Sequence, residues 1–246
     1  MACRNCLMPA SPLLFPVSFI LYWAIQSHKM KTTTSPYYQQ LQPGMAVQQM
    51  LQQHAAQLEA LQQIVFPTLA VEEWIKAEQF LHHLTIFPEG QFVVTNNNQV
   101  IGMTSCMRAN FSTEQHTFKQ ISAGGWFTNH NPEGDWLYGL DMGVHPEYRG
   151  RGLARHLYRA RHQVARALGL KGQYTVGMMN GYGAVAGSIS AEQYFEELKQ
   201  GKIKDPTISA QMKIGFEPVS LVPDYLTDPA CGNYGVLIKI DIDKNI

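Results

Sequence analysis

Residues 144–154, which read Val-His-Pro-Glu-Tyr-Arg-Gly-Arg-Gly-Leu-Ala, constrain the fold of this chain more than any other segment. They join an apolar, strand-like run over residues 136–144 to an amphipathic helix that we predict over residues 153–168. A helix N-terminus carries unpaired N–H groups and a partial positive charge, and glycines let the backbone approach an anion closely. The joint therefore predicts a pyrophosphate-binding loop between a strand and a helix.

Two common phosphate-binding loops do not fit this segment. A P-loop needs Lys followed by Ser or Thr after its glycines, and the only Lys-Thr pair, Lys31-Thr32, lies far upstream. A dinucleotide-binding loop needs a third glycine, where this chain has Arg155, and an acidic residue about 20 residues later. No Asp or Glu occurs from residue 148 to residue 191. Neither loop type is therefore present.

The pattern R-x-x-G-x-A over residues 149–154, preceded by V-x-P-E over residues 144–147, resembles motif A of the GNAT superfamily, the Gcn5-related N-acetyltransferases. The resemblance extends over residues 36–246 and implies the GNAT fold, an α/β structure with a mixed, mostly antiparallel central sheet flanked by helices. In that family the loop amides bind the pyrophosphate of acetyl-CoA, and the preceding strand pairs with its pantetheine arm. The resemblance thus implies these cofactor-binding residues: Met142, Gly143, Val144, Arg149, Gly150, Arg151, Gly152, Leu153, Ala154 and Asn180.

The acid that protonates the leaving group is in doubt. Acetyl transfer from a thioester to an amine needs a neutral amine, a stabilised carbonyl oxygen and a proton for the thiolate. Many members of the family that this chain resembles supply that proton from a tyrosine in a Tyr-x-x-x-Gly-Phe helix, where this chain has Gln211. Glutamine has no acidic proton, which leaves Tyr182 or a water molecule as substitutes. The resemblance also implies direct attack, so Cys106 and Cys231 need not act as nucleophiles.

The general base that accepts a proton from the amine has two candidates. For each of them a purely structural role is the alternative. Asp141 lies on the predicted strand, close to where relatives place a carboxylate. Because it lies three residues before Val144, strand alternation directs it to the opposite face unless a bulge intervenes. His130 lies in the irregular segment over residues 109–134, which could cover the acceptor.

The charge of the chain is balanced, with 19 basic and 19 acidic residues. Nucleic-acid binding would require a basic excess over a whole domain, so we expect a small-molecule amine acceptor and no nucleic-acid partner. Four scattered cysteines indicate reduced thiols in the cytoplasm. The C-x-x-C pair at residues 3–6 has no second pair with which to bind zinc, so no metal site is predicted.

Residues 1–35 form an N-terminal extension in this interpretation. Residues 13–25 are mostly apolar and too short to span a bilayer, although their length fits the hydrophobic part of a signal peptide. Because Met30 opens an ordinary polar start, we expect a disordered extension or a start codon assigned too far upstream. Export and membrane association are the alternatives. Residues 36–246 then form one acetyltransferase domain.

Hydrophobic periodicity predicts the remaining elements around this joint. A first strand is followed by two helices and a hairpin, and strands and helices then follow the predicted helix over residues 153–168. The predicted strands cover residues 37–41, 91–95, 99–107, 173–179, 217–222 and 234–240, and the further helices cover residues 46–65, 72–84, 191–200 and 206–214.

The sequence therefore predicts an N-acetyltransferase that uses acetyl-CoA and an amine of a small-molecule or amino-acid-like acceptor. The missing tyrosine leaves one alternative, a catalytically weak acyl-CoA-binding module that regulates a partner enzyme. Residues 124–130 and 205–216 resemble a bacterial subgroup with members fused to carbon–nitrogen hydrolases. A homodimer and a complex with a partner enzyme both stay open.

Overall fold

The computed structural model of the chain describes residues 37–246. The predicted N-terminal extension, with its apolar residues 13–25 and the cysteines at positions 3 and 6, lies outside the described residues. Among the helices within residues 37–246, none has both the length and the apolar character that a bilayer crossing needs.

Within residues 37–246, eight strands form one sheet in the order β1-β2-β3-β4-β5-β6-β8-β7. Each neighbouring pair is antiparallel except β5 and β6, which run parallel. This is the mixed, mostly antiparallel sheet that the resemblance of residues 144–154 to motif A implies. The strands are β1 Tyr38–Gln42, β2 Met45–Gln49, β3 Gln91–Asn96, β4 Gln99–Ala109, β5 Trp136–Val144, β6 Gly172–Met178, β7 Glu217–Val222 and β8 Gly235–Asp241.

Helices cover both faces of the sheet, because adjacent residues of one strand pack against different helices. Phe92 of β3 packs with Leu157 of helix α4, and its neighbour Val93 belongs to the cluster that contains Leu58 and Leu61 of helix α1. In the described part of the chain the α-helices are α1 Ala55–Val65, α2 Ala77–Ile86, α3 Phe118–Ile121, α4 Leu153–Ala167, α5 Ala191–Lys199 and α6 Ile208–Ile214.

The apolar stripe of α4 explains why this helix forms and where it packs. Leu153, Leu157 and Ala160 recur at three- and four-residue spacing, and all three are buried against β2, β3 and β4. Burial of a leucine side chain stabilises the fold by about 1.5–3 kcal/mol. The packing therefore fixes the helix N-terminus beside the end of β5.

The prediction of one long helix over residues 46–65 was wrong. Met45–Gln49 is the strand β2, and the helix begins only at Ala55. β2 pairs with β1 on one side and with β3 on the other, and its Val47 is fully buried. Sheet hydrogen bonds and burial thus override the helical preference of this Gln- and Ala-rich stretch. The predicted helix over residues 72–84 is also displaced, because residues 71–73 form a 3-10 turn and α2 follows at Ala77.

The parallel pairing of β5 with β6 ends early. It covers only Leu137–Gly139 with Gln173–Thr175, so the two strands separate beyond Gly139 and Thr175. On the other edge of β5, the register with β4 shifts between Ser105 and Cys106. Leu140 is the extra residue of this β-bulge, which bends the strand just where it leaves β6.

The buried Arg161 of α4 lies against β5 at the same point. Only 1% of its surface is exposed, and Nη1 donates to Oγ1 of Thr104 at 3.4 Å. A Cβ atom on Gly139 would overlap the guanidinium group. Gly139 is therefore needed because α4 brings a large side chain against the strand, and not for its backbone conformation.

We expect Gly139→Ala to destabilise the fold by about 1–3 kcal/mol, because overpacking forces the buried guanidinium or the strand to move. Urea denaturation followed by circular dichroism measures this change. Gly187→Ala is the matched control, since a Cβ there meets nothing within 4 Å in the described chain. Equal unfolding free energies for the two variants would show that Arg161 does not press on β5.

Candidate functional site

A cleft of about 610 Å³ opens where β5 and β6 separate. The cleft is lined by residues from both faces of the sheet. It therefore passes through the sheet between the two strands. We call the part beside α4 and α6 the α4 side, and the part beside α1 and α3 the α1 side. Lining residues on the α4 side include Ala154, Tyr158, Thr207, Ala210, Gln211 and Ile214, and those on the α1 side include Gln62, Glu73, Ile75, Phe118, Tyr225 and Leu226.

The two loop glycines have the backbone conformation that favours glycine. Gly150 and Gly152 both have a φ of 77°. A Cβ atom at either position would meet nothing within 4 Å among residues 37–246, so each glycine serves the left-handed backbone and leaves open space beside it. Gly152 is also the N-cap of α4. The loop thus presents the first N–H groups of a 15-residue helix to an open surface.

The two loop arginines bind backbone carbonyls. Arg149 donates from Nε to Val144 O at 3.0 Å and from Nη2 to Val65 O at 3.3 Å, which ties the loop to the ends of β5 and α1. Arg151 donates to Glu147 O at 3.1 Å and lies over the Tyr148 ring at 5.0 Å. Both side chains keep further N–H groups with which to bind an anion.

The structure brings most of the predicted cofactor residues to the cleft. Those that line it are Met142, Gly143, Val144, Arg149, Ala154 and Asn180. Gly150, Arg151 and Gly152 lie beside it in the loop. The Leu153 side chain is buried in the core under α4, so only its backbone faces the loop.

Asp141 lines the cleft and keeps the expected alternation, with Val144 on the face that packs against α4. Because the cleft crosses the sheet, a side chain on the opposite face still borders it. Oδ1 accepts from the Ser105 N–H, and Oδ2 has no hydrogen-bond partner in the described chain. Burial raises the pKa of this carboxyl from 3.8 to about 6, although the Ser105 hydrogen bonds and the Arg161 charge lower it in part.

His130 and Tyr182 do not lie among the cleft-lining residues of the described chain. His130 Nδ1 accepts from the Arg108 N–H at 3.1 Å, and its ring stacks on Phe87. The Tyr182 hydroxyl lies 3.5 Å from Ile189 O, and its ring packs edge-on against other tyrosines. These contacts fit structural roles for both side chains.

Sequence reasoning missed Tyr158 in the cleft. Tyr158 lies four residues after Ala154, so both project from the same face of α4. Gln211 donates from Nε2 to the Tyr158 hydroxyl at 2.8 Å. The sequence does show that Tyr158 lies four residues after Ala154 of the loop. The same spacing is also found between core residues of a helix, so it does not by itself indicate a residue of the cleft.

The α1 side carries polar groups that sequence reasoning also missed. The Glu73 side chain is 7% exposed, its Oε1 lies 3.9 Å from Lys119 Nζ, and its Oε2 has no partner within residues 37–246. The Tyr225 and Tyr138 hydroxyls are 3.2 Å apart, and Tyr138 also contacts His116 Nε2 at 2.9 Å. No local sequence pattern connects these distant residues.

Two further features bear on the chemistry. Cys106 and Cys231 are buried and donate to backbone carbonyls, and burial raises the pKa of each thiol to about 12. Both are therefore protonated and poor nucleophiles at neutral pH.

Among the described residues, no three His, Cys, Asp or Glu side chains come together as metal ligands.

Comparisons with known proteins agree with this geometry. The pattern of the Acetyltransferase (GNAT) family matches residues 55–186. The probable hydrolase YhcX of Bacillus subtilis (strain 168) is 36% identical over 182 residues, which cover 73% of this chain and 35% of YhcX. The chain thus spans about a third of the length of that relative.

This chain covers a larger share of two other similar proteins. The uncharacterised N-acetyltransferase YkwB of Bacillus subtilis (strain 168) is 32% identical over 183 residues, which cover 73% of this chain and 81% of YkwB. The loading GNATL domain of CurA from Lyngbya majuscula superimposes with a TM-score of 0.68 at 20% identity, over 84% of this chain and 98% of the domain. The structural likeness shows the shared fold. From the family pattern and the identity to YkwB together, the chain belongs to the GNAT acetyltransferase family.

Proposed function

We propose that the protein transfers an acetyl group from acetyl-CoA to the amine of a small-molecule or amino-acid-like acceptor by direct attack. One observation carries the proposal: a cleft crosses the sheet with an anion-binding helix N-terminus beside it and carboxylates on its other side. Such a cleft can bind two substrates from opposite faces of the sheet and bring them together between β5 and β6.

The donor would bind along the loop and the free edge of β5. The N–H groups of Gly150, Gly152, Leu153 and Ala154 would accept the pyrophosphate, with Arg149 and Arg151 supplying positive charge. Residues 142–144 have lost β6 as a neighbour, so their backbone can pair with the pantetheine amides. Asn180, whose Nδ2 donates to Thr207 Oγ1 at 2.8 Å, would border the arm from the β6 side.

The acceptor would enter from the α1 side. Phe118, Ile75 and Leu226 offer an apolar surface there, and Glu73 offers a buried carboxylate with a free oxygen. Lys119 pairs with only one oxygen of this buried carboxylate, so an acceptor ammonium group could bind beside the other oxygen. This chemistry supports an amine on an apolar body.

Asp141 would accept the proton that the acceptor must lose. A carboxyl with a pKa of about 6 is ionised at neutral pH and is a stronger base than an ordinary aspartate. Its Oδ2 is the oxygen left free for this task. His130 and Tyr182 lie away from the cleft, and the proposal does not need them.

The cellular setting is part of the proposal. The four scattered cysteines support a cytoplasmic enzyme. The balanced charge supports small-molecule substrates and no nucleic-acid partner. Residues of a single chain line the cleft, so the proposed function is compatible with a homodimer and with a complex with a partner enzyme.

Free-thiol release tests the proposed function. Purified full-length protein is mixed with acetyl-CoA and a panel of primary amines with apolar, polar and acidic bodies. We expect thiol release with at least one amine on an apolar body. Acetyl-CoA binding in calorimetry without turnover on any amine would instead favour the regulatory acyl-CoA-binding module. If acetyl-CoA does not bind, both functions are wrong.

We expect Gly152→Leu to weaken acetyl-CoA binding by about tenfold or more, equivalent to about 1.4 kcal/mol, because the side chain would occupy the open space beside the helix N-terminus. Calorimetric titration measures the Kd. Gly169→Leu is the matched control, since Gly169 follows the C-terminus of α4, has a φ of 67° and has equally open space in the described structure. Both variants carry the backbone cost of about 1–2 kcal/mol, and an equal loss of affinity in both would contradict the loop assignment.

The pKa of Asp141 predicts how activity depends on pH. Since the base must be ionised, kcat/KM for the amine should rise as pH increases through about 6. Asp141→Asn keeps an oxygen for the Ser105 N–H, and we expect it to lower kcat about 100-fold and to remove the rise near pH 6. A rise that persists in Asp141→Asn would assign the base elsewhere.

A further inference from the structure

We propose that Tyr158 is the general acid that protonates the leaving thiolate of the acyl donor. The inference rests on the proposed acyl transfer and goes beyond it, because it assigns the acid that the glutamine at position 211 does not supply. Position, hydrogen bonding and electrostatics each support the assignment.

Tyr158 lies near the point where β5 and β6 part. Its side chain projects into the cleft one helical turn beyond Ala154, which borders the loop. The hydroxyl bonds Gln211 Nε2, and Gln211 Oε1 in turn lies against Gly177 of β6. Gly177 is two residues beyond Thr175, the last residue of β6 that pairs with β5. A thioester that enters between the strands would therefore place its sulfur close to this hydroxyl.

The hydrogen-bond direction leaves the phenolic hydrogen free. Gln211 donates to the Tyr158 oxygen, so the hydroxyl hydrogen must point elsewhere. Within residues 37–246 it has no acceptor in place. The ring is held by an edge contact with Phe216 at 5.0 Å and by the Arg161 guanidinium at 5.3 Å. The hydroxyl is thus fixed in position with a proton available for the cleft.

Burial and charge suit the group to give up a proton and then recover it. Burial raises the pKa of Tyr158 above its usual 10, so the hydroxyl is protonated at neutral pH. The Arg161 charge and the Gln211 hydrogen bond lower that pKa and would stabilise the phenolate that forms. Arg161 forms no salt bridge within 4 Å in the described part of the chain, and its charge acts on both the Tyr158 hydroxyl and the Asp141 carboxyl.

The step balances without any further reactant. The bound ammonium first loses one proton to water and becomes a neutral amine. The amine nitrogen then bonds to the carbonyl carbon, and Asp141 takes one further proton from that nitrogen. The carbon–sulfur bond breaks, its electron pair stays on sulfur, and Tyr158 gives its proton to the sulfur. The phenolate then regains a proton from water and Asp141 releases one to water, which leaves the amide and free CoA thiol.

Other hydroxyls in the described chain are less well placed. Tyr225 lies on the α1 side, and its hydroxyl is 3.2 Å from that of Tyr138, which does not line the cleft. Tyr182 does not line the cleft. On the α4 side the side chain of Thr207 already accepts from Asn180, and its hydroxyl is a far weaker acid than a phenol.

The first test compares Tyr158→Phe with Tyr174→Phe, using an amine that the wild type acetylates. Tyr174 is buried, donates to Asn110 O at 2.7 Å and does not line the cleft, so its variant loses a similar hydroxyl outside the site. We expect Tyr158→Phe to lower kcat about 100-fold, with the Kd of acetyl-CoA changed less than about twofold, and Tyr174→Phe to keep kcat. A wild-type kcat in Tyr158→Phe would overturn the acid role and leave the proposed function standing. A wild type that acetylates no amine would overturn both.

The second test separates an acid from a side chain that only shapes the site. Difluorotyrosine at position 158 keeps the ring and hydroxyl but has a more acidic phenol. If Tyr158 gives the proton, the alkaline decline of kcat must move to lower pH by the difference between the two phenol pKa values. An alkaline decline at the wild-type position would show that the hydroxyl is not the acid, even if Tyr158→Phe is slow.

Discussion

The separation of β5 from β6 is the feature on which the rest of the site depends. Only three residue pairs join the strands before they part, and a bulge at Leu140 bends β5 at that point. Gly139, the last paired residue of β5, leaves room for the buried guanidinium of Arg161. A strand that has lost its neighbour has free N–H and C=O groups, which must bind water or a ligand. The fold thereby creates a backbone edge that a pantetheine arm can fill.

The two sides of the cleft between the parted strands carry different charges. The loop beside α4 combines a helix N-terminus with two arginines, which suits a pyrophosphate. The α1 side holds Glu73 and Asp141, each with an oxygen that has no partner in the described chain. Arg161 of α4 is buried against β5, where its charge acts on Asp141 and on Tyr158. One buried cation can thus adjust both the proposed base and the proposed acid.

The sequence locates the loop at the N-terminus of α4 better than it locates the α1 side of the cleft, for a physical reason. The loop is contiguous, and its glycines, helix and preceding strand each leave a local signal, so β5 begins and ends where the periodicity predicts. Glu73, Asp141 and Tyr158 come together only through sheet pairing and helix packing, which no short pattern records. The error at β2 has the same origin, because two neighbouring strands decide its structure. Asp141 borders the cleft because the cleft crosses the sheet, and strand alternation alone does not predict such a cleft.

The central claim is that an acyl-CoA lies between β5 and β6 with its sulfur beside Tyr158. A crystal structure of the full chain with acetyl-CoA tests it most directly. The account predicts pyrophosphate oxygens on the N–H groups of residues 150–154, pantetheine amides paired with residues 142–144, and the thioester sulfur within hydrogen-bond reach of the Tyr158 hydroxyl. An acetyl-CoA that lies outside the parted strands, or a sulfur that is remote from Tyr158, would contradict it.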